Sequence, residues 1–390
     1  RTGIISRDTW VLTSKPQNHI SLWLQSDQRQ RALQHSFSLP SRAAENLFWV
    51  ARYAERAEAS ARLLRTILAQ SLQSSIGSEE NRHASQQQLL RALTQLTLTF
   101  PGFLGKGSEK RLKNPEPELK VVAFSDEQYG SIHNNIQALM RAASSVRDLW
   151  SNDTWRLLQN IDEAWTLLHK TATTISLYHL WEGLNNLITQ LMAFAGLNYE
   201  SMTHGTNWLM LDSGRRIERA QMTMALVGAL VTEVKPPPVE ALLLEHLLVT
   251  TENIITYRRR YRSYLQLDTV LEQLLLDQTN PRAVIYQLDT LQAHLAKLPR
   301  QMEGFRLSEE ERLVLQANTK LRLSEMADLL VIDPAASSEQ VAYHHLGTLL
   351  TELDDLLSQT AQTITHYYFS HVQVAQPLIG THPGFEQDIL

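Results

Sequence analysis

Residues Asn46–Leu64 read NLFWVARYAERAEASARLL, and the fold follows from this stretch. Arg52, Glu55 and Arg56 stand at i, i+3 and i+4, a spacing that a helix gathers onto one face. At about 100° per residue, Leu47, Val50, Ala54, Ala57, Ala61, Leu64 and Leu68 form an alanine-rich stripe that permits close helix approach. Phe48, Arg52, Glu55, Arg56, Ala59 and Leu63 occupy the opposite side. A helix apolar on two sides belongs at the centre of a protein, so its charges are embedded among hydrophobic neighbours.

The pattern returns 163 residues later. Arg52 falls on Arg215, Glu55 on Glu218, Arg56 on Arg219, Ala57 on Ala220 and Leu63 on Leu226, with Ala51 on Gly214 and Ser60 on Thr223. The second copy has one stripe of Ile217, Ala220 and Met224, and another in which Trp208, Leu211, Met222 and Leu226 frame the charges. A fainter echo pairs GSIHNNIQAL (130–139) with PRAVIYQLDTL (281–291). The repeat predicts an all-α, multi-helix bundle of two pseudo-repeated lobes about a pseudo-twofold axis, with a short non-helical N-terminal arm. The two Glu-Arg helices are expected to be its two most buried and to contact each other or a shared centre.

Three readings of the embedded charges stay open. A solvated stripe fits poorly with Phe48, Trp208 and Met222 around it. A structural ion cluster would let each glutamate bridge arginines of both helices, because a buried charge without a partner is strongly unfavourable. An anion site follows from stoichiometry: Arg52, Arg56, Arg215 and Arg219 outnumber Glu55 and Glu218, and guanidinium groups grip carboxylates or phosphates bidentately. Secondary candidates lie in TYRRRYRSYL (256–265): Tyr257, Arg258, Arg260 and Tyr261, with Tyr257, Tyr261 and Tyr264 on one helical face. That run reads either as an aromatic–basic strand-binding surface or as a tyrosine-anchored helix with snorkelling arginines.

Composition excludes several classes. The 390 residues carry a formal net charge of −5, so no basic coat for general nucleic-acid binding exists. With no cysteine there are no disulfides or thiolate metal sites, which fits a cytoplasmic setting. Gly183–Tyr199, the longest uncharged run of note, holds three asparagines and a glutamine. It falls short of the roughly 20 apolar residues of a membrane span. His344 and His345 are adjacent and His366 and His371 are five apart, so no metal site is read from the 14 histidines. No G-x-S-x-G, Walker A or dinucleotide glycine pattern is present, and no catalytic residues are assigned. The start at Arg1, without a charged region leading into an apolar one, suggests a cut from a longer polypeptide rather than a signal peptide.

Along the chain, 1–36 reads as an arm with a strand near Thr9–Leu12 and a glutamine-rich linker. Residues 37–372 form the helical body, with lobes at about 37–200 and 201–372, and 373–390 form a tail. Ser41 reads as the N-cap of the first helix. Phe100–Glu127 is dense in glycine, proline and charge and reads as a long loop with a short strand at KVVAF (120–124). Ser131 is expected to cap a helix over Asn134–Leu149, and another begins near Asp153. Further helices are expected at 178–196, 206–233, 238–276, 281–298, 308–331 and 338–371. Asn280-Pro281 reads as a helix start, and Ser308/Glu311 and Ser337/Gln340 as capping boxes.

SRAAENLFWVARYAERAE (41–58) resembles the opening of the bacterial alpha-E family, a helical domain with a Glu-Arg motif. AFAGLNYESMTHGTNWLMLDSGRRIERA (193–220) is similar to that family's central motif, and TYRRRY (256–261) and NPRAVIYQLDTL (280–291) to two later signatures. The resemblance covers roughly 37–370. It departs at 106–120, which is longer and more charged, and at Ala51, where the family usually has glycine. SRDTWVL (6–12) looks like the end of a circularly permuted ATP-grasp domain, an ATP-dependent carboxylate–amine ligase. The resemblance implies partnership with such a ligase, on the same chain or a neighbouring one, and with transglutaminase-like or proteasome-related peptidases. It implies no cofactor on the helical body, ATP entering only through the ligase. The implied role is a non-catalytic binding and docking module in peptide or amide ligation, for an acidic or phosphate-bearing peptide or acyl ligand. The alternatives are a helical enzyme with acid–base glutamates and a purely structural scaffold.

Overall fold

The computed structural model describes residues 41–72, 78–262, 264–299, 306–332 and 342–369. Expectations for 1–36, 373–390 and the Ser337/Gln340 box lie outside these. Among the described residues there are fifteen α-helices and no strand, apart from an isolated bridge between Glu233 and Ala342.

The first Glu-Arg helix, α1 (Ser41–Leu72), runs 32 residues without glycine or proline, and its alanine, leucine, arginine and glutamate content favours the helix throughout. After it come α2 (Glu79–Thr97), α3 (Ser108–Lys113), α4 (Glu116–Phe124), α5 (Ile132–Ser144), α6 (Asn152–Lys170) and α7 (Leu177–Ser201). The second Glu-Arg helix is α8 (Thr206–Val231). It is followed by α9 (Pro237–Thr250), α10 (Ile254–Tyr261), α11 (Leu267–Leu271), which continues as a π turn over Glu272–Leu276, and α12 (Val284–Leu295). The last three are α13 (Glu309–Arg322), α14 (Met326–Leu329) and α15 (His344–Tyr368).

The packing repeats with the sequence. Helix α1 lies against α2, α5 and α7, and α8 against α9, α12 and α15. The echo segments are thus the neighbours of their own Glu-Arg helices, α5 beside α1 and α12 beside α8. Helices α1 and α8 pack against each other more extensively than any other pair. Leu47, Val50, Ala57, Ala61, Leu64 and Leu68 of the alanine-rich stripe are fully buried. At Gly214 a Cβ would stand 2.4 Å from the Phe48 carbonyl oxygen, so glycine there sets how closely the two backbones approach.

Several expectations need correction. KVVAF is helical rather than a strand: Pro115 and Pro117 sit at the start of α4, where a missing N–H costs nothing, and Leu119, Val122, Ala123 and Phe124 are buried. The expected single helix over 238–276 is three helices. Glu252 adopts a left-handed conformation (φ 58°) that stops α9 and turns its carboxylate toward Arg62 and Arg65. Asn280-Pro281 precedes α12 by a turn instead of opening it: the Asn280 amide donates to Asn253 Oδ1 and the Gln273 carbonyl, and Ala283 is the N-cap. The Ser131 cap (accepting from the Asn134 N–H, 3.0 Å) and the Ser308/Glu311 capping box are present.

Candidate functional site

The charged faces of α1 and α8 exchange partners across the helix interface. Arg56 donates through Nε (2.7 Å) and Nη2 (3.1 Å) to the two oxygens of Glu218, and Arg52 Nε donates to Glu218 Oε2 at 2.6 Å. The mirror half repeats this. Arg219 donates through Nε and Nη2, both 2.8 Å, to Glu55, and Arg215 Nε donates to Glu55 Oε1 at 2.8 Å. Each glutamate is thus clamped by both arginines of the other helix, a full exchange across the interface rather than a bridge between arginines of both helices. Glu218 is 1% exposed and Glu55 7%. Bidentate, charge-assisted bonds are what make such burial tolerable.

The clamp continues into residues the sequence did not single out. Arg62 Nε and Arg282 Nη2 both donate to Glu58 Oε1 (2.8 and 2.9 Å), and Arg216 holds Asp212 through two bonds. Asp212 also meets His294 Nε2 at 2.8 Å. Glu58/Arg62 and Asp212/Arg216 are i, i+4 pairs, a visible signal that the motif overshadowed; Arg282 and His294 had none. Among the described residues, seven arginines (52, 56, 62, 215, 216, 219 and 282) face four carboxylates (Glu55, Glu58, Glu218 and Asp212). Arg65 and Glu252 add one of each sign and leave the surplus positive.

The titration behaviour follows from this arrangement. Burial alone would raise the Glu218 carboxyl, but Arg52 and Arg56 outweigh it and hold the group below the usual carboxylate range. Arg219, Arg282 and Arg62 overcome burial at Glu58 in the same way, and His294 and Arg216 do so at Asp212. Burial and the neighbouring Arg219 guanidinium lower Arg215, which Glu55 only partly offsets, and Arg282 is likewise lowered, first by burial. The surplus charge is felt at these two arginines.

The repeat is broken where side chains reach the surface. Trp49 and Tyr53 of α1 occupy the positions that Asp212 and Arg216 hold on α8. On the α8 side the ions close the network into the core. On the α1 side the Trp49 and Tyr53 rings stack with centroids 5.5 Å apart. The Arg52 guanidinium lies 5.3 Å from the Trp49 ring and that of Arg56 6.0 Å from Tyr53. Trp49 and Arg52 then line an open groove of about 460 Å3 with Ser358, Gln362 and His366. A second groove, of about 500 Å3, shares Trp49 and adds Arg42, Tyr53 and Arg141. The inner candidates have far less room. Glu55 and Arg215 border a cavity of about 20 Å3, and Arg219 and Arg282 one of about 40 Å3, space for a water molecule or a few.

The secondary candidates do not join this centre. Tyr257 is fully buried on α10, its hydroxyl bonded to the Tyr264 carbonyl and Thr269. Arg258 pairs with Glu245 and Arg260 with Asp277, each at 2.8 Å. Tyr261 packs on Tyr257 at 4.9 Å, whereas Tyr264 lies beyond the helix end and is 83% exposed, so the single tyrosine face does not form. Among the described residues no helix is long and apolar enough to cross a membrane.

The family described as "a predicted alpha-helical domain with a conserved ER motif", Alpha-E, matches residues 39–369. The uncharacterized protein Rv2567 of Mycobacterium tuberculosis is 31% identical over 358 residues, covering 87% of this chain. The uncharacterized protein Mb2597 of Mycobacterium bovis has the same identity and coverage. The chain spans 38% of the length of these relatives. No solved structure matches.

Proposed function

The chain belongs to the Alpha-E family, and we propose that it is a non-catalytic binding and docking module of an ATP-grasp ligase system, holding an acidic or phosphate-bearing peptide or acyl intermediate. The observation that carries this reading is the groove where Trp49 and Arg52 meet Ser358, Gln362 and His366. There the arginine-rich network borders a space larger than a water molecule. Aromatic and arginine side chains supply most of the energy at protein interfaces, and a local positive surplus draws in anions. The ligand's acidic group would face Arg52 across the Trp49 ring, with Gln362 and Ser358 as neutral hydrogen-bonding groups. On this reading the module works in the cytoplasm beside its ligase, whose own domain would bind the nucleotide.

An acid–base enzyme is less well supported, because a catalytic glutamate needs a raised pKa and Glu218 is held low. The scaffold reading draws on the mutual pairing of the motif charges. Substitutions in the groove separate it from docking while leaving every charged member of the ion clamp in place. In a ligation assay with the ATP-grasp protein and an acidic acceptor peptide, Trp49→Ala with Gln362→Ala should raise the acceptor KM and leave kcat near wild type. An unchanged KM in a folded variant would leave the scaffold reading standing. Turnover of the peptide by this chain without ATP would favour the enzyme.

A further inference from the structure

Away from the Glu-Arg helices, three side chains from three elements converge. Asp126 lies in the turn after α4, His133 in the first turn of α5, and His169 in the last turn of α6. One ligating atom from each lies within 4.8 Å of the others. His133 Nε2 is 3.2 Å from Asp126 Oδ1 and His169 Nε2 is 3.4 Å from Asp126 Oδ2, so both rings turn the same nitrogen to one carboxylate. The rings stack at 4.0 Å with 13° between their planes. The spacings of 7 and 36 residues form no short motif, which hid the cluster from sequence reading.

The turn that carries Asp126 is held in place. The Asn134 amide donates to the carbonyls of Ser125, Asp126 and Gln128, at 3.2, 2.9 and 2.9 Å. Ser131 Oγ donates to the Ser125 carbonyl at 2.6 Å. A Cβ on Gly130 would run into the Thr97 carbonyl, which fixes the turn against the end of α2. His133 is 8% exposed, whereas the Asp126 side chain is 71% exposed and leaves a path from solvent. A rigid, one-sided group of two imidazoles and a carboxylate is more than a surface ion pair.

We propose that Asp126, His133 and His169 form a binding site for a borderline first-row transition dication such as Zn2+. The donor set, two nitrogens and an oxygen without sulfur, suits zinc, cobalt or nickel better than magnesium or calcium. Two stacked imidazoles cannot both be cationic at close range without repulsion. A dication bound by both Nε2 atoms avoids that repulsion and balances the Asp126 carboxylate charge. Zinc–nitrogen bonds of about 2.0–2.1 Å draw the two Nε2 atoms to roughly 3.3 Å apart, so the rings must tilt out of their stack. His169 must also release the Phe124 carbonyl, 3.0 Å from its Nε2, and carry its proton on Nδ1. His133 Nδ1 is buried with no hydrogen-bond partner. A missing outer partner weakens a site by about 10–100-fold, so the affinity is below that of a fully supported zinc centre. Three protein ligands leave a position open to water, and the metal would staple the 125–131 turn to α5 and α6.

The test uses the full chain, stripped with chelator and dialysed against Zn2+ or Co2+, with bound metal measured by mass spectrometry and cobalt ligation by its visible absorption. Wild type should take up one equivalent, gain thermal stability with Zn2+ and give a cobalt spectrum of nitrogen ligation. Asp126→Asn and His169→Ala, both at least partly exposed, should each lower affinity more than about tenfold and abolish the zinc-dependent rise in Tm. Their metal-free melts report folding independently, and Asp126→Asn carries the test if His169→Ala is destabilised. No stoichiometric uptake by wild type overturns the proposal. So does equal uptake by the variants, which places the ion elsewhere among the 14 histidines.

Discussion

Replacing Glu218 with glutamine keeps the side chain's shape and removes the charge that Arg52 and Arg56 share. Glu218 is 1% exposed and accepts three hydrogen bonds from those arginines, at 2.6, 2.7 and 3.1 Å. Losing one partner of a buried ion pair costs about 3–5 kcal/mol, because the remaining charge stays out of water. At an unfolding entropy of about 2.1 cal/mol/K per residue, applied over residues 39–369, this lowers Tm by roughly 4–7 °C. The mirror substitution Glu55→Gln should cost less. Arg219 lies 3.6 Å from Glu58 Oε2 and keeps a carboxylate when Glu55 is neutralised. The repeat places Gln221, which is neutral, where Glu58 stands: it accepts from Arg52 Nη2 at 2.9 Å and passes the contact on to Asp354, so among the described residues neither Arg52 nor Arg56 forms a second ion pair. Calorimetric melts of both variants at neutral pH check this order. If Glu55→Gln were the more damaging, or if both cost under about 1 kcal/mol, the assignment of a buried reciprocal clamp would be refuted.

Other consequences follow from the same geometry. Because Glu218, Glu58 and Asp212 are all held low in the folded chain, their contribution is complete above the ordinary carboxylate pKa and drains away as pH falls through their depressed values. Tm should therefore fall steadily with acidification below about pH 4.5, with a shallower slope for Glu218→Gln; equal slopes would mean that Glu218 is not depressed. Gly214→Ala should destabilise by about 1–3 kcal/mol in urea denaturation, since the Phe48 backbone cannot move aside as a side chain could. A neutral result there would mean that α1 and α8 are not in close backbone contact. Trp49→Ala, at a half-buried surface position, should shift Tm little while weakening acidic-peptide binding, measured by titration calorimetry.

The sequence revealed the centre of the fold better than its edges. A motif seen twice, with large apolar neighbours on each copy, is enough to require burial and hence pairing, and the observed exchange between Glu55 and Glu218 is its simplest solution. Helix starts with a side-chain cap, at Ser131 and Ser308, were legible because the capping bond is local. The ends were not. What stops α9 is a left-handed residue, Glu252, whose carboxylate meets arginines nearly 190 positions away. KVVAF misled because β-branched residues carry a weak preference that Pro115, Pro117 and burial on α5 override. The site was partly legible. The six motif residues come together, but the groove at Trp49 depends on α15 supplying Ser358 and Gln362 from the far end of the chain. Arg258 and Arg260 stand out in the sequence for their interleaving with Tyr257 and Tyr261, and each has a local carboxylate as its partner.

The reciprocal clamp between α1 and α8 is tested most directly by a pair of double-mutant cycles. One combines Arg56→Met with Glu218→Gln, partners across the interface at 2.7 Å. The other combines Arg56→Met with Glu55→Gln, neighbours in sequence that hold opposite ends of the exchange. Arg56 keeps 29% of its side chain exposed, so solvent screens part of the interaction. The coupling in the first cycle should still reach about 1–3 kcal/mol, with the second staying within roughly 0.5 kcal/mol of additivity. Coupling that is larger within α1 than across to α8 would contradict the clamp.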